Sequence, residues 1–426
     1  MNLRLALAVG ALLAAPAALS QSADTSASAL HWAAHSDDVG AVKRLLSEGA
    51  DPNLANRFGF TPLHEAALVG DAPMIELMLE AGGDPNATFG EGETVLMTAA
   101  RAGDIESVRV LLAHGGKADL TEDWHGQTAL MWAAIENHAD VVQLLLDAGA
   151  EVDRASTKHD WVKISYSEGN VPKTRDLGGL TALQFAARQG SLAAAEKLLD
   201  AGADANATEP MYQLTPLQLA IVNGHYTLGV RLLERGVNVD DGSLYVAVDT
   251  RNLGYYAQRP NPPEKDGEVT NLDVIHALLE RGANPDLPYT KGIFDADGKP
   301  RLPERTVAGE IAVPPGATPL DRAAAAGDFA VVKTLLEHGA SATVASEDGT
   351  TPLMLLAGYS RARGNAPLTD VPKRLELIRT LLEQGADVHA VHQDSTNNAL
   401  FFAKQRGAAE IVTLLEQFGA GERDGG

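Results

Sequence analysis

His64-Glu65-Ala66-Ala67-Leu68 opens like a zinc-hydrolase helix, in which two histidines one turn apart hold the metal and the glutamate takes a proton from bound water. Leu68 stands where the second histidine must be, and the motif fails. His31 and His35 do have the four-residue spacing and could share a metal, although His31 occupies the same place in a Ser/Thr-x-Leu-His pattern as His64. Gly292 and Gly298 bracket a loop that ends Gly-Lys like a phosphate loop. Their spacing is one residue too long, and Pro300 stands where Ser or Thr must bind magnesium. Asp295-Ala296-Asp297-Gly298 lacks the third oxygen ligand and the distal glutamate of a calcium loop, so it reads as a hairpin turn. Gly358-Tyr359-Ser360-Arg361-Ala362 misses the final glycine of a nucleophile elbow, and no strand precedes it. Cysteine is absent, which removes thiol nucleophiles, thiolate metal sites and disulfides. No catalytic constellation survives, and the chain reads as a non-enzyme with no cofactor and no metal.

These side chains must be positioned by a chain of 426 residues whose 45% apolar content supplies a full-sized core. Aromatics make up only 5%, so Ala, Leu and Val must fill it. Acidic residues number 57 against 34 Lys plus Arg, a net charge of −23. A nucleic-acid or anionic-membrane footprint is built from clustered Lys and Arg, so neither partner is expected, and a basic protein partner is favoured. Residues 1–20 combine Arg4, an apolar run over 5–13 and small residues near Pro16, the pattern of a secretory signal peptide. Cleavage is expected before Gln21, after Ala18-Leu19-Ser20, with Ala15-Pro16-Ala17 as the alternative site. The run is shorter than the ~20 residues of a spanning helix, and an Ala-rich leader without an acceptor Cys fits export to a bacterial periplasm. A short linker, 21–27, follows, and a polar tail occupies 422–426.

Between them one register recurs about every 33 residues: Thr61-Pro62-Leu63-His64, then Ala66-Ala67, then Leu77 and Leu79, then Gly82 and Asp84-Pro85-Asn86. Equivalent starts fall at Ser28, Thr61, Thr94, Thr128, Thr181, Thr215, Gly242, Thr318, Thr351 and Asn398. Thr-Pro supplies a helix cap followed by proline at the first helical position, where its missing N–H costs nothing. Ala-Ala leaves room for a neighbouring helix at methyl distance, and Leu pairs such as Leu111-Leu112 give a second helix one apolar face. The glycine after it provides a left-handed cap. No unit buries its apolar face alone, so stability must come from stacking.

This register resembles the ankyrin repeat over 28–421, and the fold class expected is all-α: an ankyrin-repeat solenoid of about ten stacked helix-turn-helix units with β-hairpin fingers. In such a unit the His31 and His64 position is expected to bond to loop backbone. Irregular start-to-start intervals mark insertions at 157–176 in a finger, 258–269 between the helices of unit seven, 288–315 in the next finger, and 361–373 between the helices of unit nine. Those of units seven and nine could meet across unit eight.

The resemblance implies a concave recognition face of finger tips and exposed first-helix positions. The fingers offer Arg57, Phe58, Phe60, Phe89, Trp124, His125, Trp161, Tyr166, Met211 and Tyr212; the helices add Leu68, Arg101, Ile135, Glu136, Arg188 and Asn223. Trp32, Trp132 and Phe185 stand where Leu is usual and read as core. The leading function is a monomeric, non-catalytic periplasmic scaffold that binds a protein partner. An inhibitor or immunity protein for a basic toxin or hydrolase is one alternative. The other is an enzyme or small-ligand receptor under the insertions of units seven to nine, built from His276, Asp321, Arg322, Tyr359 and Arg361.

Overall fold

A computed structural model describes residues 28–158, 178–210, 213–252, 263, 265–288, 316–360, 368, 370–393 and 397–421, with the backbone of 293–294 and 300–301. The expected leader, linker and tail lie outside these residues, as do most of the insertions and Trp161, Tyr166, Met211, Tyr212 and Arg361. The chain divides into two compact units, Met1–Thr157 and Lys158–Gly426.

In the first unit helices come in pairs: α1 (Ala29–His35) and α2 (Val39–Ser47), α3 (Pro62–Val69) and α4 (Ala72–Glu80), α5 (Val95–Ala102) and α6 (Ile105–Ala113), α7 (Ala129–Ile135) and α8 (Ala139–Asp147). Each first helix begins at a Ser or Thr in extended conformation. The Thr94 hydroxyl, for example, accepts from the Met97 N–H at 3.2 Å. First helices pack on first helices and second on second. The Ala pairs make this possible: Ala66, Ala67, Ala99, Ala100, Ala133 and Ala134 are wholly buried. The second helices contribute Ile75, Met78, Val108, Leu111, Val142 and Leu145 to the same core.

Gly82, just past α4, sits at φ 91° with nothing within 4 Å of where a Cβ would lie. The left-handed backbone, not crowding, requires glycine there. The Asn of Asp-Pro-Asn ties successive repeats together: Asn53 donates to the Gly82 carbonyl at 2.8 Å and accepts from the Asp84 N–H at 2.7 Å. Asn86 does the same with Gly115 and Lys117. One finger carries a true hairpin, β1 (Thr88–Phe89) paired antiparallel with β2 (Glu93–Thr94), with Phe89 opposite Glu93.

The second unit repeats the scheme with α9 (Ala182–Gln189), α10 (Leu192–Asp200), α11 (Pro216–Val222), α12 (Tyr226–Glu234), α13 (Ser243–Arg251) and α14 (Asn271–Glu280). It continues with α15 (Pro319–Ala326), α16 (Phe329–Glu337), α17 (Pro352–Leu356), α18 (Val371–Glu383), α19 (Ala399–Gln405) and α20 (Ala409–Gln417). The described end of the insertion between α13 and α14 is a hairpin, β3 (Lys265–Asp266) with β4 (Val269–Thr270). Asp266 anchors it by accepting from the Thr227 N–H at 3.0 Å. Strands β5 (Ile293–Phe294) and β6 (Pro300–Arg301) pair antiparallel on either side of Asp295 to Gly298, which itself lies outside the described residues.

Candidate protein-binding site

In the first unit Phe89, Trp124 and His125, from two successive fingers, share a cleft of about 290 Å³ whose lining also includes Glu91, Glu93, Glu122, Gln127 and Trp132. Each wall is built by a local rule. On one side β1 and β2 place Phe89 and Glu93 directly across the hairpin. On the other side the buried Glu122 carboxylate accepts from the backbone N–H groups of Trp124, His125 and Gln127 at 2.7 to 2.9 Å. A carboxylate that satisfies three amide donors shapes the turn from within and presents Trp124 outward. The Asp123 N–H donates to the Glu91 carbonyl at 2.6 Å, joining the two walls. Gly126 packs so closely on Thr157 that a side chain there would collide with the threonine hydroxyl.

Arg101 reaches two of the lining residues without lining the cleft itself. Its guanidinium lies 4.9 Å from the Trp132 ring centre and 3.0 Å from the Glu93 carboxylate. Its carbonyl accepts from the His138 Nε2 at 3.1 Å. The Thr98 hydroxyl also donates to Glu93 at 3.0 Å. Burial raises the Glu93 pKa above the usual carboxylate range, and Arg101 and Thr98 oppose that shift. Trp124 is 48% exposed and stands edge-on to His125, with ring centres 5.8 Å apart.

The other expected residues divide by environment. Phe58 is 59% exposed, with the Arg57 guanidinium 4.6 Å from its ring centre. Phe60 and Phe89 are half-buried and stack on each other at 4.0 Å; the buried His64 meets Phe89 edge-on at 5.0 Å. These two rings therefore serve the seam between fingers as much as any surface. Leu68 is exposed, while Ile135 and Glu136 are half-buried where α7 ends. In the second unit Arg188 lies 5.0 Å from the buried Phe185 ring, and Asn223 turns back to donate to the Leu219 carbonyl. Phe185 is core, as expected from sequence. Trp132 is only half-buried and lines the cleft. Trp32 corrects the expectation outright: it is 51% exposed, with its ring edge-on to His35 rather than packed in the core. Glu91, Glu93, Glu122 and Gln127 were not singled out from sequence. The one available signal was Glu122 ahead of a Gly-containing turn, which does not say where its carboxylate points.

Among the described residues, those proposed for a second-unit site bond to separate partners. His276 faces the Thr334 hydroxyl at 3.3 Å between second helices, whereas Arg322 bonds Asp249 and the Asn252 carbonyl from a first helix. Asp321 turns back on Thr318, and Tyr359 meets His392 at 3.2 Å in another finger. Arg361, and the parts of the insertions that were to meet across unit eight, lie outside the described residues. His31 and His35 separate too: His31 donates to the Phe60 carbonyl at 2.9 Å, the loop-backbone role expected of it, and His35 faces Glu65 at 3.2 Å.

A family model described as Ankyrin repeats (3 copies) matches residues 5–89, 66–156 and 154–243, and one described as Ankyrin repeat matches 316–346 and 348–393. The chain is 31% identical over 184 residues to zebrafish (Danio rerio) Ankyrin repeat and SAM domain-containing protein 6, covering 41% of this chain and 23% of that one. It is 34% identical over 97 residues to human Ankyrin repeat and SOCS box protein 16, covering 23% and 18%. It thus spans less than a quarter of the length of these relatives. The human ASB11 ankyrin repeat domain aligns with a TM-score of 0.44 at 25% identity, over 61% of this chain and all of that one. The ankyrin repeat domain of Bcl-3 aligns at 0.44 and 24% identity, over 59% and 98%. Matches over more than half of its length, on a run of capped helix pairs, place the chain in the ankyrin-repeat family.

Proposed function

We propose that the protein is an exported, non-catalytic scaffold that binds a basic protein partner in the periplasm through its fingers and inner helices. The carrying observation is Trp124, a half-exposed indole held out by the buried Glu122 turn in a chain where aromatics make up only 5%. Exposed Trp, backed by a rigid turn, is the kind of group that anchors interfaces. The net charge of −23 favours a basic partner, and the same observation would suit an inhibitor of a basic toxin or hydrolase. The test is cross-linked capture from periplasmic extract with wild type and with Trp124→Ala and Phe58→Ala. A specific partner lost from both variants is expected; a partner retained by both would remove this face from the interface. N-terminal sequencing of the periplasmic fraction should begin near Gln21, and an intact Met1 on a cytosolic protein would overturn the compartment.

A further inference from the structure

We infer that the cleft between the β1–β2 hairpin and the Glu122 turn receives one arginine or lysine side chain of the partner, an assignment that rests on the binding reading above. Its volume of about 290 Å³ lies at the lower edge of small-molecule sites, which run from roughly 300 to 1,000 Å³, so it suits a single long side chain better than a cofactor. The lining has two kinds of group. Phe89 and Trp124 offer ring surface for an aliphatic stem and for a cation over a π face, and Glu91 offers negative charge beside Glu93 and Glu122, which are already bonded within the protein; among the described residues neither Lys nor Arg lines it.

The molecule already shows that these groups hold a guanidinium. Arg101 is gripped by Trp132 on one side and Glu93 on the other, at 4.9 and 3.0 Å. Arg101 balances one carboxylate, and with Asp123 beside the mouth three remain in formal excess. An anionic or phosphorylated segment would be repelled there. A neutral apolar side chain would desolvate Glu91 and Glu93 without replacing their lost water. A cation on a long stem satisfies both walls, resting on Trp124 with its charge toward the exposed Glu91.

The test uses the full chain and three blocked tripeptides, acetyl-Gly-X-Gly-amide with X arginine, lysine or citrulline, followed by indole N–H resonances of the four tryptophans. The arginine peptide should shift the Trp124 and Trp132 resonances, with the lysine peptide similar and the citrulline peptide weaker by about tenfold or more. Glu91→Gln, an exposed substitution, should weaken the arginine peptide several-fold, and Trp124→Phe should retain more binding than Trp124→Ala. Equal shifts from arginine and citrulline, or shifts that leave both indoles untouched, would overturn the assignment. If the peptides fail while partner capture still depends on Trp124, the cation site falls and the scaffold reading stands. If capture ignores Trp124 and Phe58, the scaffold reading on this face falls first.

Discussion

Asp321→Gln should stabilise the second unit at pH 8 and do little at pH 5. The third residue of several first helices is polar and bridges two repeats. His31 donates to the Phe60 carbonyl, Gln184 to the Ala207 carbonyl at 2.9 Å, and Gln218 to the Asp241 carbonyl at 3.0 Å. In α15 that position is Asp321, wholly buried. Its Oδ2 accepts from the Thr318 N–H at 2.9 Å and hydroxyl at 3.0 Å, but its Oδ1 has no partner, because a carboxylate cannot donate to the next finger. Burial foremost, with Asp348 and Asp286 adding, pushes its pKa from 3.8 up to about 7. Between those values the folded chain keeps a proton that the unfolded chain gives up. Stability therefore falls as pH rises through this window and levels off above about 7. A shift of that size corresponds to about 4 kcal/mol at most. Gln already fits this position at 184 and 218, and it restores the donor without the charge. Urea unfolding of both proteins at pH 5 and pH 8 measures the effect, and the difference between them cancels the pH response of every other carboxylate. An advantage of about 2 to 4 kcal/mol for the variant at pH 8, shrinking toward pH 5, is expected. An equal difference at both pH values would refute the reasoning.

His64 shows the opposite sign. Burial lowers its pKa from 6.5 to about 4, so stability should fall as pH drops through that range, by about 3 kcal/mol, and His64→Gln should flatten the acid limb of a pH-stability curve. Ala134→Asp places an unpaired carboxylate at a wholly buried methyl between stacked helices and should cost several kcal/mol in denaturant melts; an unchanged midpoint would mean that the stacking seam lies elsewhere. Glu122→Ala leaves three amide donors of the turn without their acceptor. It should lower stability by about 1 to 3 kcal/mol and broaden the Trp124 indole resonance, whereas Trp124→Ala should stay within about 0.5 kcal/mol of wild type.

The repeat was legible in the chain because its determinants are local. Thr94 caps its own helix, Ala99 and Ala100 are small whatever lies beside them, and Gly82 is needed for a backbone angle rather than a contact. The finger aromatics could be named for the same reason, since the fingers follow the register. What each ring does was settled only when repeats were laid against each other. Phe60 and Phe89 stack across a seam, Trp32 stays half-exposed, and Trp132 surfaces as a cleft wall. Arg101 could be named for the recognition face from the register, but its pairing with Glu93, eight residues away, appears only once the hairpin brings the two together. Glu122 looked like a solvated acid until three amides were found pointing at it. Periodicity and caps are properties of one segment, fixed by its own backbone sterics. A cleft and a buried charge are properties of two neighbouring segments, which only the tertiary structure brings together.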